Sequence, residues 1–321
     1  MAGELPPGTD LAGLVAALES PRLGGALETP GVLEVGRARL TPAAGTGAWA
    51  LVAAGRPCGI LFDGPVAFTY RVEDRFTIPL ARRNLRRAGD VKTSEEEGAL
   101  VLTKVLRGAA VWGWDLPGLV AGAPEGRAGE PPGWLRDLLA KKLDANPGRD
   151  LATTLLNGPE GYRFGLLPGA GDDLVLDFDP RPAARVESLS RARKLPSGLG
   201  SLSGRWVSEA LVSQPVGRTW WGPTELDLAS VATELELVNP KGERLEVTAR
   251  TQVAALRDGI RVLPLSLSTW RLDGKRVRHD YAVRSLTVDG RLAPHHHFEH
   301  TLLVLLPRPL AKGEVTRLEV R

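Results

Sequence analysis

The 321-residue chain is short of the residue types that most active sites are built from: it has one cysteine, Cys58, one methionine, the initiator Met1, and five histidines. A single cysteine excludes an intrachain disulfide. No stretch offers the roughly 18 uninterrupted apolar residues of a membrane-spanning helix; the nearest, VLRGAAVWGWDLPGLVAGA from Val105, is broken by Arg107, Asp115 and Pro117. An excess of one charge is missing too. Against 38 acidic residues stand 41 basic ones, a net charge of +3, too even for a dedicated polyanion binder, so no nucleic-acid partner is expected. Neither a Gly-x-x-x-x-Gly-Lys-Ser/Thr loop nor a Gly-x-Gly-x-x-Gly turn after a strand is present, which removes the usual phosphate cradles.

What is present is the composition of a globular protein, 43% apolar and 25% charged, at a length that predicts about two domains. LAGLVAAL, Leu11 to Leu18, has the length of a signal-peptide core, but Glu4 and Asp10 precede it where basic residues belong. It reads instead as an amphipathic helix capped by Thr9 or Asp10 and ending near Ser20-Pro21. No signal peptide is recognised. The compartment stays open, with an extracytoplasmic or periplasmic place favoured over the cytoplasm.

The first part of the chain mixes short strands and helices. Strand-like runs lie at Val32–Leu40, Ala48–Ala54, Cys58–Gly64 and Val66–Val72. The polar stretch from Asp74 to Gly98 holds Arg82, Arg83, Arg86 and Arg87 and then Glu95, Glu96 and Glu97, read as a solvated helix face and loop. Leu135, Leu138, Leu139 and Leu143 form a helix stripe, and DLATTLLNG reads as a second helix between a cap at Asp150 and a stop at Gly158. YRFGLLPG and DLVLDFDP pair as a hairpin whose Asp172, Asp173, Asp177 and Asp179 lack the spacing of a calcium loop and read as turn and strand-end carboxylates. Ala183–Lys194 has a helix-like pattern, and Lys194–Gly204 is the most linker-like run. The expected fold class is α+β and β-rich: a mixed α+β module over residues 1–200, then an antiparallel sandwich or saddle-like β-domain over residues 201–321.

Beyond the linker the pattern is almost purely β, with alternation at Leu226/Leu228, Leu235/Leu237, Leu245/Val247/Ala249 and Leu318/Val320 and tight turns at NPKGE, RDG, VDGR and LAKGE. From "LDL" through "LEVTA", "IRVLPLSLS" and "VRSLTVDGR" to "LLVLLPRPLAKGEVTRLEVR", this region resembles the N-terminal β-domain of aminopeptidase N-type zinc metallopeptidases. Leu306, Pro307, Pro309, Leu310, Gly313 and Glu314 occupy the places of a late leucine-proline and Gly-Glu pair in that family. The similarity covers Thr224 to Arg321. The preceding residues are similar to the extra α+β region of some large, divergent bacterial relatives.

The resemblance implies a thermolysin-like zinc domain elsewhere, with HExxH, a distant glutamate ligand and a Gly-x-Met-Glu-Asn segment that binds the substrate amino group. None of these stands in this chain: no histidine is followed by glutamate, and Met1 is the only methionine. The expectation is therefore a non-catalytic region that shapes or covers a downstream active site, with zinc only in that missing domain. The partner would be that zinc domain or a peptide ligand; the alternative is a free-standing β-rich binding or scaffold protein of the cell envelope.

Three further features are candidate sites. His296, Glu299 and His300 spell H-x-x-E-H, an inverted zinc signature, but the surrounding HFEHTLLVLLP reads as a turn entering a strand, whereas the signature needs a helix. Cys58 in CGILF reads as a buried structural thiol. Trp220 and Trp221 in RTWWGP read first as packing between domains and second as a ligand platform.

Overall fold

The computed structural model describes residues 10–28, 31–86, 91–116, 130–141, 147–158, 161–180, 186–194, 206–215, 226–239, 244–266, 270–273, 276–279, 282–298 and 301–321. They form two compact units: a larger one from Leu14–Leu151 and Pro159–Gly222, and a smaller one from Met1–Gly13, Ala152–Gly158 and Pro223–Arg321. Among the described residues no helix is long and apolar enough to cross a membrane. Strands dominate both units, so the fold class is α+β and β-rich.

In chain order the first elements are α1 (Leu11–Glu19), β1 (Arg22–Ala26), β2 (Leu33–Val35), β3 (Ala38–Pro42), β4 (Gly47–Ala53), β5 (Arg56–Val72), α2 (Thr77–Leu85), β6 (Lys92–Glu96) and β7 (Ala99–Trp112). After them come α3 (Gly133–Ala140), α4 (Pro147–Asn157), β8 (Arg163–Leu167), β9 (Leu174–Asp179), β10 (Val186–Lys194) and β11 (Trp206–Pro215). The eleven strands make one antiparallel sheet in the order β1-β4-β5-β7-β8-β9-β10-β11, with β2, β3 and β6 beside that path. Its core is built on Phe62, Phe68, Tyr70, Leu102, Leu174, Leu176 and Leu189, each at most 1% exposed. Burying one such side chain is worth about 1.5–3 kcal/mol.

Helix α1 starts as its sequence requires: the Asp10 carboxylate accepts the Gly13 amide, and Leu11, Leu14, Val15 and Leu18 are buried at helical spacing. Several expectations are corrected. Val32–Leu40 is a hairpin, β2 and β3, folded about Gly36 at φ +56. Cys58–Gly64 and Val66–Val72 are one strand, β5, because Gly64, at φ +131, and Pro65 are absorbed where the register with β7 shifts between Asp63 and Val66. Asp150 does not cap α4, which begins at Pro147; it sits in the first turn and pairs with Arg149 at 2.7 Å. Glu95 and Glu96 stand on strand β6, with Arg82 paired to Glu95.

The helix-like pattern of Ala183–Lys194 also gives way: Val186–Lys194 is strand β10, paired with β9 on one side and β11 on the other. Pairing on both sides decides it: Glu187 and Leu189 are fully buried in the sheet, and further along the strand Arg191 and Arg193 reach Glu209 on β11 at 2.6 and 3.1 Å. The acidic β8–β9 turn is neutralised by cations. Asp173 pairs with Lys141 at 2.6 Å and Asp172 with Arg191 at 3.3 Å, while Lys141 lies 4.2 Å over the Trp206 ring.

Buried Glu187 fastens the β2–β3 turn. Its carboxylate accepts the Arg37 amide at 2.7 Å and the Arg37 guanidinium at 3.1 Å. A Cβ on Gly36 would stand 2.6 Å from Phe178 and 2.7 Å from Glu187 Oε1, so only glycine suits this position at its positive φ.

The smaller unit contains β12 (Leu226–Asn239), β13 (Arg244–Ala255), β14 (Ile260–Ser266), β15 (Trp270–Asp273), β16 (Arg276–His279), β17 (Leu286–Val288), β18 (Arg291–Leu292), β19 (His295–Phe298), β20 (Thr301–Leu310) and β21 (Val315–Val320). Its sheets are five-stranded, β12-β13-β21-β17-β18; three-stranded, β14-β20-β19; and two-stranded, β15-β16. One cluster draws on the first two: Val253, Leu286, Val288 and Leu318 with Ile260, Leu263, Leu302, Val304 and Leu306. The VDGR turn forms as read, with Asp289 at φ +49 and Gly290 at φ +79, the backbone of a tight two-residue hairpin.

Asn157, 5% exposed at the end of α4, acts as a substitute strand neighbour for β14. Its Oδ1 accepts the amides of Arg261 and Val262 at 2.8 and 2.7 Å, its Nδ2 donates to the Val262 carbonyl at 3.0 Å, and its own carbonyl accepts from Arg257 at 2.9 Å. Helix α4 ends there, at Gly158 with φ +109, as the sequence predicts.

Two predictions follow from these buried polar anchors. Burial raises the Glu187 pKa above its ordinary value of 4.5, opposed by its hydrogen bonds from Arg37. A raised carboxylate pKa contributes most below the unfolded value and loses that contribution as pH rises through the folded one. Arg37→Met therefore costs about 3 kcal/mol at pH 7 and markedly less at pH 4, read as urea midpoints across that range; a pH-independent cost contradicts this assignment. Asn157→Ala leaves the Arg261 and Val262 amides unpaired and lowers the stability of the smaller unit by about 2–3 kcal/mol, measured by the exchange rates of slow amides in β14 and β20.

Candidate functional site

The exposed face of β12-β13-β21-β17 borders an open surface depression of about 960 Å³. Alternation builds it. On β21, Thr316 and Leu318 are buried while Val315 and Arg317 are exposed. On β13, register places Arg250 opposite Glu319 and Gln252 opposite Arg317, so the polar halves of two strands share this face. Ser230 and Ala232 come from β12, Thr287 and Asp289 from β17 and its turn.

Arg250 is the centre of its charge pattern. Nη1 stands 2.6 Å from Glu234 Oε1 and Nε 3.0 Å from Glu319 Oε2, and these hydrogen bonds raise the guanidinium above its ordinary pKa. Glu319 is held below the usual carboxylate range by hydrogen bonds from Arg250 and then from Arg321. Asp289 is committed to structure: Oδ1 accepts the Arg317 amide at 2.9 Å and Oδ2 the Thr316 hydroxyl at 3.0 Å. The described lining offers guanidinium, amide, hydroxyl and carboxylate groups but no histidine, cysteine or lysine.

Of the residues singled out in the sequence, His296 and Cys58 lie outside this lining. His296 is on β19, opposite Leu303 of β20, where burial keeps its pKa below the ordinary value, His295 acts in the same direction and Asp10 against it. Because β19 runs to Phe298 and pairs with β20 from Thr301, the described part of the H-x-x-E-H run is strand and not helix. Glu299 and His300 lie outside the described residues, as do Trp220 and Trp221. Among the described residues no group of three His, Cys, Asp or Glu side chains is placed to hold a metal. Cys58 is fully buried in β5, and burial pushes its thiol pKa up, which removes the thiolate a nucleophile needs.

Sequence reasoning missed Arg250, Gln252, Arg317 and Glu319. Their period-two spacing in LEVTARTQV and VTRLEV was visible, but the pairing of β13 with β21 joins segments far apart in sequence and leaves no local signal.

No protein-family signature matches the chain, and no curated protein matches it. Among solved structures it is similar to a two-domain M1 zinc metallopeptidase mutant bound to L-tryptophan, with 23% identity over 31% of this chain and a TM-score of 0.25. It is also similar to an M1 zinc metallopeptidase from Deinococcus radiodurans, at 23% identity over 30% of this chain and a TM-score of 0.24, and to a mutant of that enzyme at 25% identity, 30% coverage and 0.24. The aligned part spans only about 19–20% of the length of those chains.

Proposed function

We propose that the smaller unit is a non-catalytic β-domain of the aminopeptidase N type, which shapes or covers the active site of a zinc metallopeptidase domain. The observation that carries the reading is the folding of the resembling segments. The runs from LDL to VTRLEVR fall in order on β12, β13, β14, β17, β20 and β21, all within one unit. The exposed face fits a domain that makes contacts: it presents the Arg250–Glu234 and Arg250–Glu319 pairs beside hydroxyls and an amide. Zinc chemistry and the free-amine site belong to the partner domain in this reading.

Two measurements test it. The purified chain, with and without added zinc, is expected to leave L-amino-acid anilides intact, and measurable turnover abolished by a chelator contradicts a non-catalytic role. Sequencing the coding region past the Arg321 codon is expected to reach an HExxH motif; a stop codon there, with no HExxH reading frame beside it, overturns the assignment to a metallopeptidase.

A further inference from the structure

We propose that the outer edge of β12 is a docking site for an extended segment of another polypeptide in which apolar and basic residues alternate, added as one more strand of the sheet. The proposal goes beyond the reading above and does not need a zinc domain.

Strand β12 ends the five-stranded sheet. It pairs with β13 from Leu226↔Ala255 to Asn239↔Arg244, and among the described residues no strand lies on its other side. An edge of this length presents a row of backbone donors and acceptors that templates pairing with another chain, and proteins blunt such edges with lysine, proline, strong bulges or brevity. Here the 14-residue strand LDLASVATELELVN contains no lysine, arginine or proline. Its pairing with β13 shifts register twice, between Leu228 and Ser230 and between Leu237 and Asn239, and is continuous from Ser230 to Leu237.

The two faces of the edge differ. Every residue from Asp227 to Glu236 is exposed, although an edge strand packed on a core hides every second one. Leu228, Val231 and Leu235 are 57%, 55% and 66% exposed. Register sets them opposite Val253, Thr251 and Val247, on the same face as core residue Val253. An apolar stripe therefore runs out from the core along the strand. The opposite face carries Asp227, Glu234 and Glu236, and between Glu246 and Ala254 the facing strand supplies one cation, Arg250. Glu236 stands directly opposite Glu246, whose own carboxylate pairs with Arg284 at 2.7 Å.

An incoming strand sends alternate side chains to each face. Those beside Leu228, Val231 and Leu235 are apolar, and those beside Asp227 and Glu236 are basic, Glu234 being paired with Arg250. Charge complementarity selects this partner over a second copy of the chain, whose own β12 would bring the same three carboxylates up to the acidic face. Main-chain pairing supplies affinity and the two faces supply specificity, as in other strand-addition interfaces.

The test uses the full chain and a fluorescein-labelled, end-blocked peptide of alternating valine and lysine, about eight residues long, titrated by fluorescence anisotropy. Saturable one-to-one binding is expected, weakening at about 0.5 M salt, with an alternating valine–glutamate peptide bound at least about tenfold more weakly. The exposed double substitution D227K/E236K is expected to reverse that preference, and V231K/L235K to abolish binding of both peptides; amide exchange of β14 and β20 confirms that each variant is folded. No binding, equal affinity for the two peptides, or a preference untouched by D227K/E236K overturns the proposal. So does concentration-dependent dimerisation of the unliganded chain that V231K/L235K removes, because a second copy would then occupy the edge.

Discussion

Strand β21 holds the smaller unit together. It lies between β13 and β17, pairing Ala249–Ala254 on one side and Leu286–Val288 on the other. Beyond it Arg321 exchanges backbone hydrogen bonds with Ser285 and Arg284 at 2.7–3.3 Å. The same six residues serve both faces of the sheet: Thr316 and Leu318 enter the core, and Arg317 and Glu319 line the depression. Without β21, β13 and β17 have no common neighbour, the Arg250–Glu319 contact has no second partner, and Val253 loses the cover that Leu318 helps to supply. Folding of this unit therefore waits on the most distant segment of its sequence, a loop closure that local propensity cannot replace.

The larger unit follows a related rule with a charged group. Glu187 on β10 is carried into the core and satisfied by Arg37, 150 positions earlier in the chain. A buried carboxylate is tolerated only when paired and hydrogen-bonded, and this one takes both a backbone amide and a guanidinium at a turn that glycine alone can make. Asn157 does the same for β14 with a neutral amide. In both units, one buried polar side chain supplies the hydrogen bonds that a neighbouring strand would otherwise provide.

These anchors mark the limit of what was legible in the sequence. Where physics is local, the residues announced the structure: the stripe of α1 with Asp10 as one of its two candidate caps, the Gly158 stop of α4, the Asp289-Gly290 turn, and the apolar alternation of β13 and β21. Where a long-range partner decides, they did not. Arginine spacing in β10 looked helical until β9 and β11 took up its backbone; the Gly64-Pro65 step looked like a break until a bulge absorbed it. The candidate site shared this fate, since each of its strands reads as an ordinary hairpin arm and only their pairing makes a surface. The histidines drew attention by their scarcity and Trp220-Trp221 by their adjacency, whereas the described polar face is made of common residues in a particular register.

The proposed roles fit this architecture. The sheet has a satisfied centre, a polar exposed face and, among the described residues, no strand on the outer side of β12, which are the features the proposals use. The most direct test of the account is amide hydrogen exchange resolved along the smaller unit. It predicts that residues 315–320 exchange as slowly as those of β13 at 249–254, while about half of the amides between 227 and 236, those pointing away from β13, exchange near the rate of unstructured chain. Exchange in β21 as fast as in β12 would contradict it, because a strand hydrogen-bonded on both sides cannot open as freely as an edge.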